Sequence, residues 1–428
     1  MCLDMVKHSV SLMNKLFSPD RVGRPQLIAG SLLLLFIAQC LWLISRGRQN
    51  LEGDTSELFR VQEGLAQWNG EAIAGIPSAT REETGISVPP SLGQNQDYDP
   101  HHSPLWYLIA SAPLLSWDLS SRADPFRAGL LRHSTFLCRI PYVVFGALLG
   151  ASLWYVSRRL YGNPGGYIAL GVYCFSPVII RVSSVWFVQP EMSAVWGTFG
   201  AIFTSIAVAH TLYAPREVVL WNWRRILLLA LSLAMAVGSQ FSLIVLVPLA
   251  LGFMVYLAPM RIREAFVICA AACGAGFVLL YGAYFFRPGA FWSGMRHAEF
   301  FNVRWPAFLM SRAYWQVLGE LAKSSPAYWV MLAGAVVWYA ASSRSRYFGN
   351  TAPLLIAVLF LLLGAGSPHY PGLGFQLMSV PFLYVFLAGV AADALESKQR
   401  VMAEAVIWGL LVANGLWNLA VLAGVGRA

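Results

Sequence analysis

The chain has 428 residues, 57% of them hydrophobic and 12% charged, with a formal net charge of +9. Soluble domains carry about a quarter charged residues, so this composition excludes a water-soluble globular enzyme and implies an all-α polytopic membrane protein. The excess positive charge is then read as membrane topology, and no nucleic-acid partner is expected.

Residues 1–25 form a basic, polar N-terminal segment containing Lys7, Lys15, Arg21 and Arg24. The apolar run that follows lacks a small-residue cleavage site, so it is read as a retained span rather than a removed signal peptide. A span needs about 20 mostly apolar residues. Spans are expected near 26–45, 140–157, 164–183, 192–213, 226–239, 241–258, 265–286, 326–342, 352–366, 373–392 and 402–425. The two around Gly238–Gln240 share the least marked boundary. The stretch 104–117 is too short to span comfortably and holds two prolines, which suits a juxtamembrane or re-entrant helix. Six cysteines (Cys2, Cys40, Cys138, Cys174, Cys269, Cys273) form no CxxC pair and lie mostly in apolar runs. They read as small buried hydrophobes, not as a disulfide or metal framework.

Basic residues fix the orientation. Arg158–Arg159, Arg216 with Arg224–Arg225, Arg261 with Arg263, Arg344 with Arg346, and Lys398 with Arg400 fall at alternate connections, on the side of the N-terminus if 104–117 does not cross. That side is expected to be cytoplasmic. The count is then about eleven transmembrane helices, forming one domain over 26–428. Outer loops are 46–139, which contains juxtamembrane helices, 184–191, 287–325 and a short one at 366–372. No internal repeat and no carboxylate or lysine pair within a span is visible, which weighs against a proton-coupled or inverted-repeat carrier.

The outer loops hold the candidate chemistry. In the first, Leu58, Val61, Leu65 and Trp68 recur at helical spacing, as in an amphipathic helix lying on the membrane. Asp54 stands one turn before Leu58 and so shares its face, while Asp54 and Glu57 also have the spacing of a capping box. Later come Asp97, Asp99, His101 and His102. Two carboxylates and two histidines are donors suited to zinc or manganese, but adjacent histidines in extended backbone point to opposite sides. A polar lead into a Pro-started helix explains the same residues. The sequence thus admits a divalent metal without requiring one, and no other cofactor is indicated. Gln189-Pro190-Glu191 opens a span, where a carboxylate suits the positive helix end. The loop at 287–325 places Arg287, Arg296, His297, Glu299, Arg304 and Arg312 among Phe291, Trp292, Phe300, Phe301, Trp305 and Trp315. Basic residues outside, with interfacial aromatics, suit a lipid phosphate whose tail lies in the bilayer. Arg46, Arg48 and Arg60 add to that charge, and His369-Tyr370 stands at the mouth of a span.

The order of these features resembles the GT-C membrane glycosyltransferases, specifically the protein O-mannosyltransferase and aminoarabinose-transferase group. Asp54-Thr55 matches that group's early Asp-Glu pair, and His101-His102-Ser103-Pro104-Leu105-Trp106-Tyr107 resembles its second loop motif. Arg139-Ile140-Pro141 resembles the opening of a span that ends at Arg158-Arg159-Leu160-Tyr161-Gly162. Glu191 stands where the family often has Asp, and His369-Tyr370 with Ser379-Val380-Pro381 echoes a late motif. Thr55 replaces the pair's second acid, and Ser103 a proline.

The resemblance implies transfer of a sugar from a polyprenyl-phosphate donor to a lipid, glycan or protein acceptor. The active face would be extracytoplasmic and the membrane a bacterial inner (plasma) membrane. Asp54 is the expected general base and Glu191 positions acceptor or sugar. Arg60, Arg304 and His369 are candidates for the donor phosphate. Glu57, Asp99, His101, His102, Arg139 and Tyr370 complete the expected substrate-binding set. The alternatives are a transporter or flippase of lipid-linked sugars, which binds without chemistry, and a non-catalytic assembly protein.

Overall fold

The computed structural model describes residues 24–46, 55–69, 101–116, 131–184, 190–213, 223–301, 308–341, 350–367 and 373–425. Among them all regular structure is helical. The first part of the chain forms α1 (Arg24–Arg46), α2 (Thr55–Trp68), α3 (Leu105–Ser111), α4 (Leu131–Cys174), α5 (Pro177–Ser184) and α6 (Glu191–Thr211). Next come α7 (Trp223–Ser239), α8 (Leu246–Leu257), α9 (Ile262–Gly282), α10 (Pro288–His297) and α11 (Arg312–Ser324). The last four are α12 (Pro326–Ala341), α13 (Ala352–Gly366), α14 (Gly374–Leu395) and α15 (Arg400–Val425). Six described helices are long and apolar enough to cross a bilayer, and four shorter apolar ones accompany them. The chain is an integral membrane protein.

Helix lies over each of the eleven expected segments, with instructive differences at the ends. The helix expected from 140 begins at Leu131, because the mixed sequence LRHSTFLCR continues it beyond the apolar stretch. Arg139-Ile140-Pro141 therefore lies inside α4 and does not open it. The division expected between 157 and 164 falls at Gly162, whose φ of 77° lies where a side chain would be strained. A second interruption follows Cys174, and α5 restarts at Pro177. In lipid, backbone groups freed by such a break need internal partners. Gln39 donates to the Cys174 carbonyl at 3.1 Å and Asn414 to that of Phe175 at 3.0 Å. Asn418 in turn donates to the Gln39 side chain at 2.7 Å, which fastens α15 and α1 to the break. The uncertain boundary at Gly238–Gln240 is a true break, with Gln240 in extended conformation between α7 and a short 3-10 turn, Phe241–Val245.

α14 is the central mast. All residues of its most apolar stretch are buried, as are 83% of those in the corresponding stretch of α6 beside it, against 17% for α15 at the periphery. Helices in lipid associate by close packing of small residues, since hydrocarbon offers no hydrophobic drive between them. The α6–α7 crossing is the sharpest instance. A methyl group on Gly197 would sit 2.6 Å from the Ala236 amide nitrogen and from the Ser232 carbonyl oxygen. Those atoms are backbone and cannot move aside cheaply. Gly197→Val is expected to destabilise the fold by about 1–3 kcal/mol, read as a lower thermal unfolding midpoint in detergent.

Candidate active site

The second loop motif, which starts at His101, is built into the α7–α8 break. Strand-like backbone around Gln240 leaves donors and acceptors without helical partners, and His101 to Ser103 supplies them. The Phe241 N–H donates to the His101 carbonyl at 2.9 Å, and the Ser103 N–H to that of Gly238 at 3.0 Å. The Ser103 hydroxyl donates to the same Gly238 oxygen at 2.7 Å. Ser103 therefore does here what the proline of the related motif would be unable to do, since proline has no N–H. Ser103→Ala removes one of the two bonds on that oxygen and should cost about 1 kcal/mol, measurable as a lowered unfolding temperature.

From the break the hydrogen bonds continue inward to α6. The hydroxyls of Ser239 and Ser193 are 2.7 Å apart, and Ser193 donates to the Pro190 carbonyl at 2.7 Å. Next in the chain is Glu191, only 1% exposed. One of its carboxylate oxygens, Oε1, accepts from the Leu373 N–H at 2.6 Å and the Gly374 N–H at 3.3 Å. The other, Oε2, is buried with no hydrogen-bond partner among the described residues. The carboxylate thus sits between the first turns of α6 and α14, the two most buried of the membrane-length helices, where both positive helix ends favour an anion. Hydrogen bonds and adjoining backbone thus join the second loop motif at Ser103, the helix break, Pro190-Glu191 and the start of α14 at Leu373 and Gly374.

The two histidine rings do not point to opposite sides of the chain but lie edge-on to one another. Their rings are 6.1 Å apart and tilted by 76°. His102 is buried, edge-on to Trp106, and the His101 Nδ1 lies 3.8 Å from a carboxylate oxygen of Glu299. Phe300 packs on Phe241, and Phe301 on Phe375, so residues 299–301 bridge the break and the start of α14. No group of three metal-ligating side chains occurs among the described residues; Asp97 and Asp99 lie outside them.

α2 packs against α3 rather than lying free on the membrane. Val61 and Leu65 are buried as the spacing predicts, but so are Arg60 and Gln67, while Trp68 is 42% exposed. Gly64 permits the approach, since a methyl there would meet the Tyr107 carbonyl oxygen at 2.6 Å. Arg60 is bonded to Glu63 at 2.9 Å. Gln67 donates to the Tyr107 hydroxyl at 3.4 Å and the Trp68 ring N–H to the Leu108 carbonyl at 3.0 Å. Burial, and after it the Glu63 carboxylate, pushes the Tyr107 phenol well above its ordinary pKa. Tyr142 donates to the Trp106 carbonyl at 3.0 Å, tying α3 to α4. Beside α3 opens an apolar groove of about 490 Å³, lined by Trp68, Leu105, Ile109, Pro141 and Leu279 among others.

Of the expected site residues, the structure joins His101 and Glu191 through those hydrogen bonds and the backbone between them, with His102 in the same motif. Arg60 is placed on the adjoining α2. Arg139 is buried within α4. Glu57 lies in α2, its side chain outside the description, and Asp54, Asp99, Arg304, His369 and Tyr370 lie outside the described residues. Ser193, Ser239, Gln240 and Glu299 were not singled out as site residues. Their one signal is polarity beside a helix break or an acid among basic and aromatic loop residues.

No family model matches the chain, and no curated protein sequence is similar to it. Among solved structures, it is similar to the archaeal oligosaccharyltransferase AglB from Archaeoglobus fulgidus, solved in complex with an inhibitory peptide and a dolichol-phosphate. The TM-score is 0.56 at 10% identity, over 93% of this chain and 56% of that one. The chain thus spans little more than half the length of that structure. The likeness is one of fold.

Proposed function

We propose that this protein is an integral-membrane glycosyltransferase of GT-C type. It moves a sugar from a polyprenyl-phosphate donor to a lipid, glycan or protein acceptor on the extracytoplasmic face. The observation that carries the proposal is the run from His101 to Gly374 through Glu191, which gathers motifs far apart in the chain at one end of the two central helices. The AglB likeness supports the same reading, because that enzyme was solved with a lipid phosphate and a peptide. Eleven crossings put the N-terminus in the cytoplasm and this end of α6 and α14 outside, in a bacterial inner membrane.

In this mechanism Asp54, just before α2, takes the proton from the acceptor hydroxyl. The acceptor oxygen then bonds to the anomeric carbon as the bond from that carbon to the phosphate oxygen breaks. Polyprenyl phosphate departs, and single displacement inverts the anomeric centre. Arg304 and His369 meet the phosphate as its charge grows, and Arg60, which also holds Glu63, joins them from α2. Glu191 Oε1 braces the start of α14 while Oε2 faces acceptor or sugar. Glu57, Asp99, His101, His102, Arg139 and Tyr370 complete the substrate-binding set. The groove beside α3 suits the donor's apolar tail. The test is whether purified protein in liposomes cleaves a polyprenyl-phosphate sugar and passes the sugar to an acceptor.

A further inference from the structure

Glu191 is held at two points. At one end its Oε1 accepts the Leu373 and Gly374 N–H groups at the start of α14. A carboxylate pinned through one oxygen can still swing about that point, so the direction of Oε2 depends on the first turn of α6, which carries the Glu191 backbone. That turn has a tie of its own. The Pro190 carbonyl accepts the Ala194 N–H at 3.2 Å as the first bond of α6, and also the Ser193 hydroxyl at 2.7 Å. A serine hydroxyl has one proton to donate, and that of Ser193 goes to Pro190. The Ser239 hydroxyl, 2.7 Å from that of Ser193, is therefore the donor of the pair. The bonds run one way, from Ser239 at the end of α7 through Ser193 to the carbonyl that opens α6.

We infer that Ser239 is a positioning residue for Glu191. Ser193 and Ser239 are each 1% exposed, so water does not replace a lost partner. The spacing of α6 and α7 is set one turn further in, where Gly197 meets the backbone of Ser232 and Ala236. Removing the Ser239 hydroxyl leaves that crossing in place. The end of α7 is also held by Ser103, whose N–H and hydroxyl both donate to the Gly238 carbonyl. What the Ser239 hydroxyl adds is the orientation of the turn that carries Glu191. Because Ser239 follows the residue that Ser103 grips, the seat of the second loop motif is passed through it to the carboxylate. The inference rests on the proposed sugar transfer, in which Oε2 faces acceptor or sugar; Ser239 acts through Glu191 and not on the substrate.

The test is a double-mutant cycle in purified full-length protein. Ser239→Ala should lower the kcat of transfer about fivefold, the contribution of one neutral hydrogen bond, with KM for the donor unchanged. In a Glu191→Gln background the same change should have no further effect, because Ser239 acts only through the carboxylate. Ser193→Ala should give the same loss, and the two serine changes together no greater one. A second readout needs no turnover. Dicyclohexylcarbodiimide modifies buried carboxyl groups, and mass spectrometry of the Glu191 peptide follows the rate. Freed from one of its two anchors, Glu191 should be modified about fivefold faster in Ser239→Ala, at a temperature where both proteins are folded. Ser205→Ala removes another buried α6 hydroxyl, one bonded to the Ile202 carbonyl of its own helix, and should change neither readout. Wild-type kcat in Ser239→Ala, a loss that adds to that of Glu191→Gln, or an unchanged labelling rate would overturn the inference. Faster labelling of Ser239→Ala with no transfer by the wild type would keep Ser239 as the anchor of Glu191 and defeat the sugar-transfer reading instead.

Discussion

Asp54→Asn is expected to reduce sugar transfer by about 10²–10⁴-fold, the range that removal of a positioned general base produces. An amide cannot take a proton from the acceptor hydroxyl, but it caps a helix as well as a carboxylate does. α2 begins at Thr55, directly after Asp54, so the variant keeps the start of that helix and with it the packing of Val61 and Leu65 on the bundle. The loss should therefore appear in the transfer rate at saturating donor and not in the thermal unfolding midpoint. Transfer at the wild-type rate would make Asp54 a helix cap and remove it from the chemistry.

The second large effect is at Glu191, where two substitutions separate bracing from catalysis. Glu191→Ala strands the buried Leu373 and Gly374 N–H groups, at about 1–3 kcal/mol for each unsatisfied donor. The protein should unfold at lower temperature in detergent and lose activity with the fold. Glu191→Gln keeps an oxygen that accepts both bonds, and it also relieves the desolvation of a buried charge. Its fold should hold, short of about 0.3–1 kcal/mol of interaction with the helix dipoles. In the proposed mechanism its transfer should still fall, because the carboxylate proposed to face acceptor or sugar has become a neutral amide. A stable Glu191→Gln variant with unaltered transfer would leave Glu191 as a brace alone.

Local patterns in the sequence carried the helical frame but not its closures. Apolar runs located α1, α6, α9, α14 and α15 to within about three residues at all but one end, and glycine with a polar neighbour marked the break at Gln240. The start of α4 was missed by nine residues, since hydropathy senses hydrocarbon thickness and not a helix that continues past it. The spacing of Val61 and Leu65 identified the buried face of α2. Arg60 and Gln67 were invisible as buried residues, because their partners Glu63 and Tyr107 are read only once α2 meets α3. Glu191 was legible as an acid opening a helix. Its bonds to Leu373 and Gly374, 182 and 183 residues away, follow from the packing of α6 on α14, which no local pattern encodes. The same holds for the pairing of Ser103 with Gly238.

Cleavage of the sugar–phosphate bond separates the proposed transferase from a carrier. Purified wild-type protein is reconstituted in liposomes with a panel of radiolabelled polyprenyl-phosphate sugars and membrane acceptors, and both products are followed. For a transferase, label leaves the donor and enters an acceptor, with polyprenyl phosphate released in equal amount. Donor that binds and crosses the bilayer while its sugar–phosphate bond stays intact would contradict the transferase and establish a carrier.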